Sequence, residues 1–162
     1  MLIHNTVVPQ LVAMDYPHIA RLAGKPNGLW YGINTSWHDW CETEMPDFLG
    51  PYNHRIRVDY SKILRIGCSA ELVAFDQKYR APGTNTYALE GIDWLRVRED
   101  YSGIEISPYQ WEHRLSMMWY YGWDVASGCV WDWNAILSVE EAPMEKLVAE
   151  LEELELDADG NF

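Results

Sequence analysis

The sequence predicts an α+β domain, and three observations lead there. Short apolar or alternating runs at 2–4, 29–33, 54–60 and 104–106 read as strands. Helical stripes at 36–45, 69–79 and 93–100 fall irregularly between them, and hairpin-like pieces replace the regular strand–helix rhythm of a doubly wound parallel sheet. At 162 residues the chain has the length of a single domain. Such a chain buries roughly 70% of its unfolded surface and needs neither disulfide nor metal to fold.

Taken in order, Leu2 to His4 form the opening strand, and Ile19 and Leu22 mark a short helix over 16–23 that Gly24 closes. Lys25-Pro26-Asn27-Gly28 is a turn, since Pro fixes φ while Asn and Gly tolerate positive φ. Leu29 to Ile33 follows as a buried strand. Thr35 or Ser36 caps a helix with Trp37, Trp40 and Cys41 on one face, stopped by Pro46. From His54 to Tyr60 the residues alternate, Ile56, Val58 and Tyr60 against Arg55, Arg57 and Asp59, as in a half-exposed strand, and Ile63 to Ile66 continues after a bend. Ser69 to Tyr79 is a helix with Leu72, Phe75 and Tyr79 inward, and residues 80–87 read as a surface loop. A helix starting near Asp93 runs to Asp100. Ile104 to Ile106 is a short strand, and Met117–Val125 and Cys129–Trp133 read as two more. Ser138 to Glu141 has capping-box spacing before a helix striped by Met144, Leu147, Leu151 and Leu154. The expected division is a domain over 1–137 with an acidic helix and tail over 138–162 packed on it, the stripe being also a possible dimer seam.

Charge limits the partners. The net charge is −13, and residues 140–162 hold nine acids and one lysine, a local −8. A long polyanion such as duplex nucleic acid meets repulsion and no basic stripe, whereas a small anion needs only one or two local cations. No apolar run is long enough to span a membrane, and the first residues lack the basic and apolar segments of a signal peptide, so the expectation is a cytoplasmic protein. Cys41, Cys68 and Cys129 form no CxxC pair and read as buried thiols. Nine Trp and ten Tyr against three Phe give most large rings a polar handle, which suits a wet cleft or an interface.

The hard signatures of dehydrogenases, P-loop NTPases, zincins and serine hydrolases are absent, and His38 with Cys41 has no second pair to complete a metal site. Four weaker signals remain. His4 and Thr6 end the first strand. Lys25-Pro-Asn-Gly-Leu-Trp-Tyr31 runs into Asn34-Thr35-Ser36-Trp37, where a helix N-terminus with hydroxyls is a natural cradle for phosphate or ribose. Glu105 places one carboxylate between two Ile residues, and Asp124 follows the ring cluster at 119–123. Each also has a plain reading: His4 as a hydrogen-bonded core residue, 25–28 as only a turn, Glu105 as a solvent-facing strand residue, and Asp124 as a turn cap rather than a second acid in a cleft.

Together, the strand-borne His-x-Thr, the KPxGLW turn leading to a Ser-Trp helix start, and the Tyr-x-Gly-Ile-Glu-Ile strand resemble the three-part layout of ADP-ribosyltransferases, in the branch whose first motif carries histidine. The strings IDWLRVREDYSGIEISPYQW and WYYGWDVASGCVW also resemble small phage and bacterial proteins of unassigned chemistry. The transferase resemblance implies a split sheet with NAD in its cleft and no metal. It implies His4 on the adenosine-side ribose, Trp30 or Tyr31 on nicotinamide, Thr6, Thr35 and Ser36 around them, and Glu105 beside the sugar cation that forms as nicotinamide leaves. Where many such transferases carry an acid or Gln two residues before the Glu, this chain has Gly103. On this reading Glu105→Ala abolishes NAD consumption and moves stability by no more than about 1 kcal/mol. The contrasting expectation is a non-catalytic acidic accessory or inhibitor protein, phage-encoded and acting in the host cytoplasm, that holds a host protein through Trp and Tyr anchors.

Overall fold

The computed structural model describes residues 1–16, 24–81 and 91–160. The helix expected at 16–23 and the loop expected at 80–87 fall largely outside them. Seven strands form one sheet in the order β4-β5-β6-β2-β1-β3-β7. They are β1 (Leu2–Thr6), β2 (Leu29–Ile33), β3 (Tyr52–Val58), β4 (Ile63–Ile66), β5 (Gly103–Ile106), β6 (Ser127–Val130) and β7 (Ile136–Glu141). Only β4 and β5 are parallel. Among the described residues four α-helices lie around the sheet: α1 (Ser36–Glu44), α2 (Ser69–Tyr79), α3 (Trp94–Asp100) and α4 (Met144–Gly160). The architecture is therefore α+β, as the sequence predicts. No described helix is long and apolar enough to cross a membrane.

The sheet has to curl. Strands β3 and β4 lie five spacings apart in the sheet order, about 24 Å if it were flat. The chain from Val58 to Ile63 reaches at most about 18 Å. Curling brings Val58 and Ile63 into one inner-face cluster with Leu2, Leu29, Tyr31, Ile56, Val130 and Ala135. The outer face carries Ile66, Ile104, Ile106 and Cys129 under α2, α3 and a dense group of rings that includes Phe75, Trp94, Trp119, Tyr120 and Trp123. Trp119 donates its indole N–H to the buried Asp76 at 2.9 Å, so its polar handle is satisfied within the core.

Several expectations need correction. Residues 117–126 form turns rather than a strand, because Trp119, Tyr120 and Trp123 all face inward, a helix-like spacing that an alternating strand cannot bury. The segment at 138–141 is the end of β7, paired with β3, and α4 starts only after Pro143. That strand straddles the expected 137/138 division. On α4, Leu147 is fully buried against Ile3 and Ala142, whereas Leu154 is exposed. Arg55 on β3 reaches Glu140 of β7 and Glu150 of α4, pinning the first half of the helix to the sheet. Of the three cysteines, Cys68 is exposed and the other two are buried.

Candidate functional site

Strands β1 and β2 pair only at Leu2↔Ile33 and Ile3↔Gly32. Beyond those pairs β1 continues along β3 as far as Thr6, while β2 follows β6 back to Leu29, so the sheet splits between them. His4 bridges the split with its side chain: Nδ1 lies 2.6 Å from the Trp30 carbonyl oxygen. A carbonyl only accepts, so Nδ1 carries the proton and Nε2 is left with a lone pair in the neutral ring. Burial pushes the His4 pKa below the usual value, the Trp30 carbonyl opposes that shift, and the neighbouring His54 adds to it. The imidazole is thus neutral at pH 7.

A pocket of about 190 Å³ opens at this split, bordered by His4, Lys25, Trp30, Tyr31, Trp37 and Phe48 among others. Each wall has a local cause. Alternation along β2 sends Trp30 to the outer face, where it meets Trp123 edge-on at 4.8 Å and donates to the Pro26 carbonyl at 3.2 Å. Lys25, in the turn before β2, holds its ammonium 5.1 Å from the Trp30 ring centre. Asn34 takes the left-handed conformation, φ 54°, and turns the chain from β2 into α1. Helix α1 comes close enough to the sheet that a Cβ on Gly32 would sit 3.0 Å from Trp37 Cβ.

Glu105 lies elsewhere. Period two along β5 sends Ile104 and Ile106 outward and Glu105 to the inner face, where it is only 4% exposed, not solvent-facing. Tyr31 and Tyr60 both donate phenolic protons to its Oε2, at 3.2 and 3.1 Å. Arg65, mostly exposed, stands 3.4 Å from Oε1. The space for this arrangement comes from Gly128 on β6, which pairs with both Tyr31 and Glu105. A Cβ there would lie 2.4 Å from the Tyr31 ring, so only glycine lets that ring cross the middle strand. Burial and the carboxylate raise both phenol pKa values, that of Tyr60 to about 12 and that of Tyr31 further still, so both remain donors.

The structure therefore brings His4, Trp30 and Tyr31 to one pocket, and Glu105 does not border it. Tyr31 touches both places, with its backbone at the split and its hydroxyl on Glu105. The remaining sequence-selected residues serve the framework. Thr6 Oγ1 accepts from the Val8 N–H, Thr35 donates to Asp39 at 2.8 Å, and Ser36 donates to the Ala126 carbonyl at 2.9 Å, tying α1 to the residue that precedes β6. On α1, Trp37 and Trp40 stack at 5.3 Å on one side and are half-buried, while Cys41 is buried together with His38. Asp124 borders the pocket and pairs with Arg114 at 3.3 Å.

Sequence reasoning missed Lys25, Trp37 and Phe48 as wall residues. The first two lie inside the motifs it quoted, and Phe48 arrives through the 3-10 turn at Pro46–Phe48, which no local pattern marks as facing a pocket. Among the described residues no three His, Cys, Asp or Glu gather to hold a metal ion. No protein-family model matches the chain, and comparisons with curated proteins and with solved structures find no match.

Proposed function

We propose that the protein binds a nucleotide at the split between β1 and β2, with NAD the first ligand to test. The supporting observation is the set of residues gathered there: His4, Lys25 and the three large rings of Trp30, Trp37 and Phe48 around one opening. Trp30, Trp37 and Phe48 offer rings to a flat heterocycle, and Lys25 offers a charge to a phosphate. At about 190 Å³ the pocket is smaller than the roughly 300–1,000 Å³ of sites for drug-sized ligands. It suits one ring and its ribose, with the second half of a dinucleotide lying along the surface outside.

Transfer or hydrolysis of ADP-ribose is the finer form of this reading and the one the family resemblance implies. It needs a carboxylate beside the reacting sugar, and Glu105 is held by two phenols on the inner face. We assign the site binding and attach no covalent step to it. Calorimetric titration with NAD, nicotinamide mononucleotide and AMP tests the proposal. The expected result is saturable heat with NAD and with one of its halves, weakened about tenfold by Lys25→Gln. Absence of heat with all three ligands overturns it.

A further inference from the structure

We propose that a second hollow, the groove between α1 and residues 109–126, receives a lysine- or arginine-rich segment of a protein partner. The groove encloses about 450 Å³. Its aromatic walls are Trp40, Tyr109 and Trp111, its acids are Asp39, Glu44 and Asp124, and no basic side chain lines it. Ring faces carry negative charge density, so carboxylates beside them attract a cation from two sides. The molecule already binds one of its own cations in this manner. The Arg114 guanidinium lies 5.9 Å from the Trp111 ring centre and 5.2 Å from that of Tyr121, with Nη2 3.3 Å from Asp124.

Arg114 engages Asp124 and does not line the groove. Asp39 accepts a hydroxyl proton from Thr35, and neither Asp39 nor Glu44 has an ion-pair partner among the described residues. Trp111 is 68% exposed and Leu115 78%, an outlay of apolar surface that a partner would cover. Charge complementarity selects the occupant: the chain is −13 overall, and the groove lining adds acids without bases. This hollow shares only Asp124 and Val125 with the pocket at the split, so the two are open to separate tests.

Hexa-arginine peptide, titrated into the full chain and followed by tryptophan fluorescence and calorimetry, is the probe. We expect saturable binding that weakens with salt, and about tenfold weaker binding in Trp111→Ala and in the double variant Asp39→Asn, Glu44→Gln. Glu152→Gln with Glu153→Gln, on the exposed half of α4, controls for general attraction to an acidic protein and should leave affinity unchanged. All five substituted positions are solvent-exposed, and circular dichroism confirms that each variant is folded. Equal affinity across the variants, or loss confined to the α4 control, overturns the proposal, as does an absence of wild-type binding at low salt.

Discussion

The inner-face cluster at Glu105 and the split at His4 both hold an ionisable side chain among aromatic rings, and they differ in who satisfies it. Every partner of the Glu105 carboxylate comes from the chain itself: two phenols, one guanidinium and a glycine whose missing side chain admits the ring between them. At the split the protein does half the task. It fixes the His4 tautomer through Nδ1, and His4, Lys25 and three large rings border an opening that none of them fills. A polar group completed internally serves stability, because any ligand would have to displace its partners. A polar group oriented but left incomplete is what a binding site needs.

Substitutions can break this contrast, and the largest effect is expected on the inner face. Glu105→Ala strands the Tyr31 hydroxyl in the interior and leaves a void, and should cost about 3 kcal/mol of unfolding free energy in denaturant titrations. A loss of 1 kcal/mol or less, the value expected from sequence for a residue that only does chemistry, would restore Glu105 to the role of a free site residue. Gly128→Ala drives a methyl into the Tyr31 ring and should cost about 2 kcal/mol. Combined with Glu105→Ala it should cost less than the sum, since both break one arrangement.

At the split the order reverses, with affinity changing and stability holding. Lys25→Gln should weaken nucleotide binding by about 1.4 kcal/mol while leaving stability within about 0.5 kcal/mol. The smallest effect is a pH slope. Because burial lowers the His4 pKa, the unfolded chain takes up its proton first as pH falls below about 6.5. The His4 contribution to stability is therefore complete above that value and declines as the pH falls toward the lowered folded value. Melting curves between neutral and mildly acid pH should show this decline shallower in His4→Gln than in the wild type.

How much of this was legible in the sequence depended on whether the signal was local. Strand β2 and helix α2 have the predicted bounds, because an apolar run after a Pro-Asn-Gly turn and a stripe at Leu72, Phe75 and Tyr79 are read from neighbouring residues. Glu105 was singled out correctly as an acid on a strand, but its fate depended on Gly128 and Tyr31, which reach it only through strand order. The apolar richness of 117–125 suggested a strand, whereas its rings pack inward from consecutive turns. Capping-box spacing at Ser138 lost to pairing with β3, because cross-strand contacts along β7 outweigh a local end signal. The split itself leaves no mark in composition or periodicity, since it is an absence of pairing between two strands that otherwise look complete.

Parallel NAD titrations of the wild type, Glu105→Gln and Lys25→Gln test the central claim most directly. Glutamine keeps an acceptor for the two phenols, so the account predicts wild-type affinity in Glu105→Gln and about tenfold weaker binding in Lys25→Gln. Binding abolished by Glu105→Gln in a folded protein and untouched by Lys25→Gln would place the ligand at the carboxylate and contradict the account.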